Sequence, residues 1–447
     1  MKVLLVRPRP HPETIGLQDV MICEPLELEY LGAALKAAGH EVVIVDMILE
    51  RKPLEFFVRE HRPDYVGLTA YIAHINIVKE SAARVKQVAP SCRVVVGGVH
   101  AEVIPEDFVS PHIDFIVRAN GIRTMLELVE GNSEAEGVWR EKGPFCAKET
   151  TFQYPHPDRS LVERYRSRYY YMFHNPCALM KTSYGCPYQC KFCFCRNITD
   201  GQYFVRDIPD VIAELKSIPE REVYIVDDDF LVARKRVLAF CDELKANNLD
   251  KRFLVYARAD FVAGNEDVIR RFAECGLRAV IVGLESGSEA ELKEYNKQGS
   301  VKSNEEAVAV LTRNGVECYG TFILGVDWSP ADFRHLLAWI RKLGLKFVNL
   351  QPFTPLPGTE LYDSYRDRLI ISRSEAEKWD LAHLSVAPGR MSIRAYYWNI
   401  IVLYYKITLR PASVLQMIRQ YGLRENIKLS LGASKITWQY FKKMVRG

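Results

Sequence analysis

The stretch TSYGCPYQCKFCFCRN, residues 182–197, places four cysteines within ten positions of a chain that has eleven in 447 residues. Cys186, Cys190 and Cys193 form Cys-x3-Cys-x2-Cys, and Cys195 follows two positions later. Three thiolates on a four-iron cluster leave one iron without a protein ligand, and that iron can bind a substrate. The alternative is a zinc site with Cys195 or Cys177 as a fourth ligand, although this spacing matches no zinc ribbon. The stretch therefore predicts a [4Fe-4S] cluster on the first three cysteines.

Regular alternation of strands and helices surrounds this stretch and predicts a barrel. The predicted strands cover residues 179–182, 222–226, 253–256, 279–282, 318–324 and 347–350. The predicted helices between them cover residues 209–217, 234–246, 266–274, 304–314 and 330–343. Six strand-helix units are too few for an eight-unit barrel, so residues 177–363 are expected to form an open, partial (β/α)6 barrel. The cysteines follow its first strand, at the end where barrels carry their chemistry.

Residues 1–131 show the same alternation with shorter units. Predicted strands at residues 3–6, 42–45, 65–68, 93–96 and 115–117 alternate with predicted helices at 26–38, 53–61, 75–88 and 124–129. This order predicts a doubly wound, Rossmann-like parallel sheet, and such sheets bind ligands beyond the carboxyl ends of their strands. The residues expected at that face are Pro8, Thr69, Ala70, Tyr71, Gly97, Gly98, His100, Asn120 and Gly121.

The remaining segments are interpreted as a linker, residues 132–176, and a small helical domain, residues 364–447. Ten Lys or Arg residues but only one acidic residue, Glu425, lie between Met391 and Gly447, so the tail is basic. No nucleic-acid motif accompanies this charge, and we expect no nucleic-acid partner. The aromatic run at 396–409 is too short to span a membrane. We expect a core helix there, with a peripheral membrane contact as the less favoured alternative.

The start of the chain and the scattered cysteines favour a reducing compartment. Lys2 is followed by the strand-like residues 3–6 rather than by a secretory signal, so a cytoplasmic protein is expected. The cysteines outside the cluster stretch are spaced singly and are expected to be reduced: Cys23, Cys92, Cys146, Cys177, Cys241, Cys275 and Cys318.

The three-cysteine spacing, with the aromatic Phe192 before the last cysteine, resembles the signature of the radical S-adenosylmethionine (SAM) superfamily. The resemblance implies that the open iron chelates SAM. It also implies that one electron from a flavodoxin-type or ferredoxin-type donor cleaves SAM to methionine and a deoxyadenosyl radical. The SAM contacts that it implies are Phe192, Asp228 in YIVDDDF (224–230), Arg258 in YARAD (256–260), and Glu285 and Ser286 in VGLESGS (282–288). Cys195 lies outside the signature and is expected to be a bystander, with a functional thiol as the less favoured alternative.

A doubly wound sheet before such a barrel resembles the cobalamin-binding subgroup of this superfamily. VVVGGVHAEVIPE (94–106) carries that subgroup's Gly-Gly-x-His at the end of the fourth strand, and EPLELEYLGAALKAAGHEVVIVD (24–46) is similar to its first helix and second strand. The resemblance implies that cobalamin binds at the face of the sheet defined above. His74 and His100 are candidates for a cobalt ligand, but ordinary hydrogen bonding is the favoured interpretation of both.

The pairing of the two domains implies an enzyme that methylates an unactivated carbon of a small molecule. We expect a polycyclic, isoprenoid or pigment-type substrate, and an antibiotic intermediate is equally compatible. In this scheme one SAM provides the radical and a second restores the methyl group on cobalamin. The alternative is radical cyclisation, ring contraction or rearrangement without methyl transfer. An electron-transfer or redox-sensing module is the least favoured class, because it leaves the polar strand ends of the barrel without a role.

Overall fold

The computed structural model describes residues 1–141 and 154–446. Cys146 and the middle of the predicted linker lie outside the described residues. The elements of the amino-terminal region are β1 (Lys2–Arg7), β2 (Met21–Ile22), α1 (Leu26–Ala37), β3 (Glu41–Asp46), α2 (Leu54–His61), β4 (Tyr65–Thr69), α3 (Ile75–Val88), β5 (Arg93–Gly97), α4 (Val99–Val103), β6 (Phe115–Ile116) and α5 (Gly121–Val129).

Strands β1, β3, β4, β5 and β6 form one parallel sheet in the order β3-β1-β4-β5-β6. Side chains of β1 alternate between its two faces. Leu4 and Val6 pack in the core that α2 and α3 cover, and Val3 and Leu5 pack in the core that α1 and α5 cover. Because both faces are buried, the strands read as continuous apolar runs. The predicted doubly wound sheet is confirmed.

The described end of the predicted linker is packed rather than extended. A 3-10 helix at Arg159–Arg168 places Tyr165 in the amino-terminal core, and Tyr169 follows it there. The Tyr169 hydroxyl donates to the Asp46 carboxylate at 3.2 Å. Strand β7 (Tyr170–Tyr171) then pairs antiparallel with β2. The rings of Tyr165 and Tyr169 are buried and their hydroxyl groups are hydrogen-bonded. The segment has no sustained helix or strand periodicity, so the sequence pattern does not reveal this packing.

The barrel follows directly. Its elements are β8 (Cys177–Met180), β9 (Ser183–Tyr184), α6 (Cys195–Ile198), β10 (Phe204–Val205), α7 (Ile208–Ser217), β11 (Glu222–Ile225), α8 (Arg234–Ala246), β12 (Arg252–Arg258), α9 (Ala259–Gly264), α10 (Glu266–Glu274), β13 (Leu277–Glu285), α11 (Glu289–Glu294), α12 (Val301–Arg313), β14 (Glu317–Leu324), α13 (Pro330–Lys342), β15 (Phe347–Pro352) and α14 (Glu360–Tyr365).

Six of these strands form a parallel sheet in the order β15-β14-β13-β12-β11-β8. Strands β8 and β15 are its two edges, so the barrel is open and partial, as predicted. Outward side chains such as Val255 and Val282 pack beneath the helices, whereas inward side chains such as Leu254 and Ile281 form a separate inner core. Leu26 of α1 packs in that inner core. The sheet domain therefore closes part of the barrel interior.

Three helices end the chain: α15 (Ile393–Thr408), α16 (Pro411–Tyr421) and α17 (Leu423–Arg446). Tyr396, Ile400 and Leu403 of α15 belong to the outer core of the barrel. The Tyr396 hydroxyl donates to the Leu324 carbonyl at 2.9 Å, at the end of β14. The run 396–409 is thus a core helix as expected, but it completes the barrel's core rather than a separate one. In the described ranges, no helix is long and apolar enough to cross a membrane.

A buried ionic network joins the sheet domain to the barrel. The Glu24 carboxylate, just before α1, accepts from the Leu179 amide in β8 at 2.5 Å. Arg159 donates to the Leu179 carbonyl at 2.7 Å and to Glu214 of α7 at 2.8 Å. Burial raises the pKa of Glu24. Charges so far from water are stable only while each keeps its partners, so the contact between the two domains is fixed.

Candidate active site

The cysteine loop is closed at its base by a short ribbon. Strand β9 pairs antiparallel with β10, which brings the two ends of the segment between them together. Gly185 begins this segment with φ +82°, and a Cβ there would lie 2.2 Å from the Gln202 carbonyl oxygen. The Asp227 carboxylate accepts from the Thr182 amide and hydroxyl, each at 2.6 Å. The entry to the loop is therefore fixed by a carboxylate at the end of the neighbouring strand.

The loop presents Cys186, Cys190, Cys193 and Cys195 as free, half-buried thiols. Burial raises the pKa of Cys186 to about 11. The neighbouring Cys195 thiol lowers the pKa of Cys193. Thiolates are the ligands of iron-sulfur clusters, where each binds a separate iron, so three cysteines in one loop are a ligand set that fits such a cluster.

Arg258, at the end of β12, lies against the cysteine loop. Its guanidinium is 3.9 Å from the Cys190 sulfur and 3.9 Å from the Tyr188 ring centroid. It also donates to the Asp260 carboxylate at 2.9 Å. Phe192 packs edge-on against Tyr295, with ring centroids 5.8 Å apart. The structure thus brings these two predicted SAM residues to the cluster loop and gives Arg258 a carboxylate partner of its own.

Glu285 ends β13 in a left-handed conformation, with φ +56°. Its carboxylate accepts from Lys297, which follows α11, at 2.7 Å. Lys297 lies between Asn296 and Gln298, which are both left-handed as well. Burial alone would lower the pKa of Lys297, but Glu285 and Cys190 raise it, so the ammonium stays charged. Sequence reasoning identified Glu285 and missed Lys297. The only signal was a Lys in the short segment YNKQG (295–299).

Ser286 makes a structural contact. Its hydroxyl donates to Glu291 of α11, and the same carboxylate accepts from the Trp328 indole at 2.6 Å. Ser286, which was predicted to contact SAM, is therefore already hydrogen-bonded to Glu291. This hydrogen bond holds the end of β13 against α11.

The three aspartates after β11 diverge. Asp227 holds the cysteine loop, as described. Asp228 lines a large cavity on the side of the sheet domain, beside Cys195.

Asp229 is buried near Arg258 and Lys297. One of its carboxylate oxygens accepts from the Leu231 amide at 3.1 Å, and the other has no hydrogen-bond partner among the described residues. Burial raises the pKa of Asp229 to about 7. An orphan carboxylate oxygen beside the cluster loop suits a cationic ligand group. Sequence reasoning named Asp228 as the SAM contact and did not single out Asp229.

One cavity of about 660 Å³ lies between the carboxyl ends of the sheet and the barrel mouth. The residues of the sheet prediction that line it are Thr69, Tyr71, Gly97, Gly98, Asn120 and Gly121. From the barrel side Lys181, Tyr184, Phe194, Cys195 and Asp228 reach the same space. The carboxyl ends of the sheet and the barrel residues around Cys195 therefore open into one chamber with a mainly apolar wall, and Asp228 is the one predicted SAM contact that lines it.

Three residues that were predicted to lie at the ligand-binding face of the sheet are buried behind the cavity wall and do not line the cavity. Pro8 and Ala70 are buried and outside the cavity lining. His100 is also buried, and its ring is hydrogen-bonded to the Asp107 carboxylate at 2.8 Å. His74 lies against the Tyr71 ring, and burial lowers its pKa to about 4. Both histidines therefore have ordinary partners, in line with the favoured interpretation.

Gly97 and Gly98 differ in what they tolerate. Gly98 has φ +105°, and a Cβ there would lie 2.8 Å from the Ala70 amide nitrogen. A Cβ at Gly97 would only touch Val117 at 3.7 Å. Because Gly98 has no side chain, the loop that contains it can lie against the loop that contains Ala70. Gly97 has no side chain to project into the cavity.

Two family sequence models match the chain in the regions that form these two faces. The B12 binding domain matches residues 14–129, and the radical SAM superfamily matches residues 180–340. The chain therefore carries a radical SAM domain, preceded by a B12 binding domain. The protein is an enzyme, and its cofactors are a [4Fe-4S] cluster, SAM and cobalamin.

Two relatives and one solved structure are similar to this chain over most of its length. The chain is 27% identical over 425 residues to the hopanoid C-3 methylase of Methylococcus capsulatus, covering 91% of this chain and 81% of the relative. It is 24% identical to the anaerobic magnesium-protoporphyrin IX monomethyl ester cyclase of Rubrivivax gelatinosus, covering 88% and 74%. The radical SAM methyltransferase TsrM from Kitasatospora setae has the same fold, with a TM-score of 0.70 at 18% identity and coverages of 92% and 90%.

Proposed function

We propose that the protein transfers a methyl group to an unactivated carbon of a small molecule. The observation that carries this proposal is the single cavity of about 660 Å³ that contacts both the glycine-rich face of the sheet and the barrel mouth. A carbon radical made at the barrel must meet a methyl donor held by the sheet without exposure to water. A shared, mainly apolar chamber meets both requirements.

The chain's own residues hold, orient and shield the bound groups. Cys186, Cys190 and Cys193 are the cluster ligands, and Arg258 supplies positive charge beside Cys190. Asp229 is proposed to hold the amino group of SAM through its orphan oxygen. Gly97 and Gly121 are proposed to receive the cobalamin nucleotide tail. When bound, the cluster with SAM supplies a radical, and cobalamin supplies the methyl group.

We propose a bulky, mainly apolar polycycle or isoprenoid with a polar group as the substrate class. The apolar cavity wall supports this choice, as does the chain's similarity to two hopanoid methylases. Cleavage of SAM consumes one electron, so a flavodoxin or ferredoxin is proposed as the donor. Radical cyclisation without methyl transfer is the second candidate, because several similar proteins are cyclases of a magnesium porphyrin ester.

The test uses protein reconstituted anaerobically with iron, sulfide and hydroxocobalamin, supplied with electrons by a reduced flavodoxin system and given SAM with a labelled methyl group. A pentacyclic hopanoid and magnesium-protoporphyrin monomethyl ester serve as the two probe substrates. Methyl transfer predicts equal amounts of deoxyadenosine and S-adenosylhomocysteine, with label in the product and, before substrate is added, on the protein-bound corrin. Deoxyadenosine without S-adenosylhomocysteine, together with an unlabelled cyclised product, would favour the second candidate instead. The variant with all three cluster cysteines changed to Ala is the control for background cleavage.

A further inference from the structure

The last helix, α17, exposes an apolar stripe along its whole length. The large exposed side chains are Leu423, Ile427, Leu431, Trp438, Phe441 and Val445, each with more than a third of its surface in water. They recur every three, four or seven residues, so they share one face of the helix. At 1.5 Å per residue this stripe is about 33 Å long. Scattered exposed apolar residues are ordinary, but a continuous stripe of this length indicates a surface that something covers.

The opposite face of α17 is already in use, so the stripe is not a misplaced core face. Tyr440 is buried and packs against Tyr404 and Tyr397 of α15, with ring centroids 6.3 and 6.0 Å away. The ammonium of Lys435 pairs with Asp19 at 2.6 Å and fixes the helix along the amino-terminal segment. The helix is therefore held on the protein with its apolar stripe outward.

Basic residues follow one edge of this stripe. Arg424, Lys428 and Lys442 occur one or four residues after members of the stripe, and Glu425 is the only acid of the helix. Arg424 and Lys442 make no ion pair with any residue in the described ranges, and the Lys442 ammonium lies 6.0 Å from the Trp438 ring centroid. An apolar face with Trp, Phe and Leu, bordered by Lys and Arg, is the pattern of helices that lie in the surface plane of a bilayer.

We propose that α17 binds peripherally to the surface of an anionic lipid bilayer. Its apolar side chains enter the headgroup region and its basic edge contacts lipid phosphates. A second copy of the chain is a poorer occupant, because it would bring the same uncompensated cations against this edge. An electron donor is the other occupant that the experiment tests.

The experiment is co-sedimentation of the full-length protein with vesicles of phosphatidylglycerol and phosphatidylcholine, compared with vesicles of phosphatidylcholine alone. We expect binding to the anionic vesicles that weakens as salt is raised. The combined variant Ile427→Ser, Leu431→Ser and Trp438→Ser should lower the affinity at least about tenfold. Arg424→Gln with Lys442→Gln should lower it about fivefold for each charge removed and reduce the dependence on salt.

The matched control removes exposed apolar side chains elsewhere: Val109→Ser with Ile370→Ser, 57% and 41% exposed in the wild type. This control should bind vesicles as the wild type does. Thermal melts of every variant show whether α17 still folds onto α15, and the charge variant gives a second test if the apolar variant unfolds. Wild-type protein that ignores anionic vesicles, or a stripe variant that binds them equally well, overturns the proposal. A wild-type dimer that the stripe variant converts to monomer, without vesicle binding, would assign the face to a second copy instead. Slower cluster reduction by flavodoxin in that variant, again without vesicle binding, would assign the face to the electron donor.

Discussion

The Lys297 ammonium and the Glu285 carboxylate are 2.7 Å apart and lie together over Gly283, where a Cβ would come within 2.6 Å of both groups. Both side chains are about nine-tenths buried. Removal of one partner from a buried pair leaves the other charge without compensation.

Lys297→Met should therefore lower the free energy of unfolding of the cofactor-free protein by about 3–5 kcal/mol, measured by urea denaturation. Lys297→Arg should retain most of the stability. The double variant Glu285→Gln with Lys297→Met should recover much of the loss, because no isolated charge remains. Equal stability of Lys297→Met and the wild type would mean that the pair is not coupled in solution.

Asp229 gives a pH dependence with a definite sign. Burial raises its pKa from 3.8 to about 7, so the folded protein holds a proton there that the unfolded chain releases. Stability should fall as the pH rises from about 4 to about 7 and stay level above that. Asp229→Asn should remove this dependence and stabilise the cofactor-free protein at pH 8 by about 2–4 kcal/mol. Urea denaturation at pH 5 and pH 8 measures the difference. Asp228→Asn, at the cavity-facing neighbour, is the matched control.

The same two variants distinguish which aspartate contacts SAM. If the orphan oxygen of Asp229 receives the amino group, Asp229→Asn should weaken SAM binding to the reconstituted protein more than tenfold, since a charged hydrogen bond is lost. Asp228→Asn should change the affinity less than about threefold, because no contact to SAM is lost. Equilibrium dialysis with labelled SAM makes the comparison, and the reverse order of effects would favour Asp228.

Cluster assembly should depend on three cysteines and not on the fourth. Combined replacement of Cys186, Cys190 and Cys193 by Ala should abolish the visible absorption of the reconstituted cluster and all cleavage of SAM. Cys195→Ala should keep both, because Cys195 is not one of the three proposed ligands. Iron and sulfide analysis with detection of deoxyadenosine is the measurement. A triple variant that still cleaved SAM would contradict the ligand assignment.

Cobalamin binding is best tested at Gly121. Gly98 is unsuitable, because a side chain there collides with the Ala70 backbone and would distort the loop itself. Gly121 lines the cavity and has nothing within 4 Å of an added Cβ. Gly121→Trp should reduce cobalamin binding, followed by absorption, by more than tenfold without lowering the melting temperature, since it fills space that the ligand needs. Gly264→Trp, at an equally open position outside the cavity, is the matched control.

Much of this architecture could be predicted from the sequence, because local patterns determine it. Helices α3, α8 and α10 have the predicted bounds, since each has a continuous apolar face between clear boundaries. The cysteine spacing likewise predicted the cluster loop. Lys297 could not be predicted, because its position depends on two left-handed residues in a short turn and on the partner that they bring within reach. The roles of Asp228 and Asp229 depend on which way each side chain turns after the strand, and periodicity carries no such information.

The buried ionic network between Glu24, Arg159 and Glu214 bears on how this protein can be recombined with others. A chimaera that takes its sheet domain from one relative and its barrel from another would separate these charges from their partners at the joint. Leu179 adds to this constraint, because Glu24 and Arg159 hold its backbone from the other side of the boundary. The natural unit for exchange is therefore the sheet domain together with the segment around Arg159 and its acidic counterpart on α7. A chimaera whose junction is chosen without regard to this network would leave buried charges without their partners.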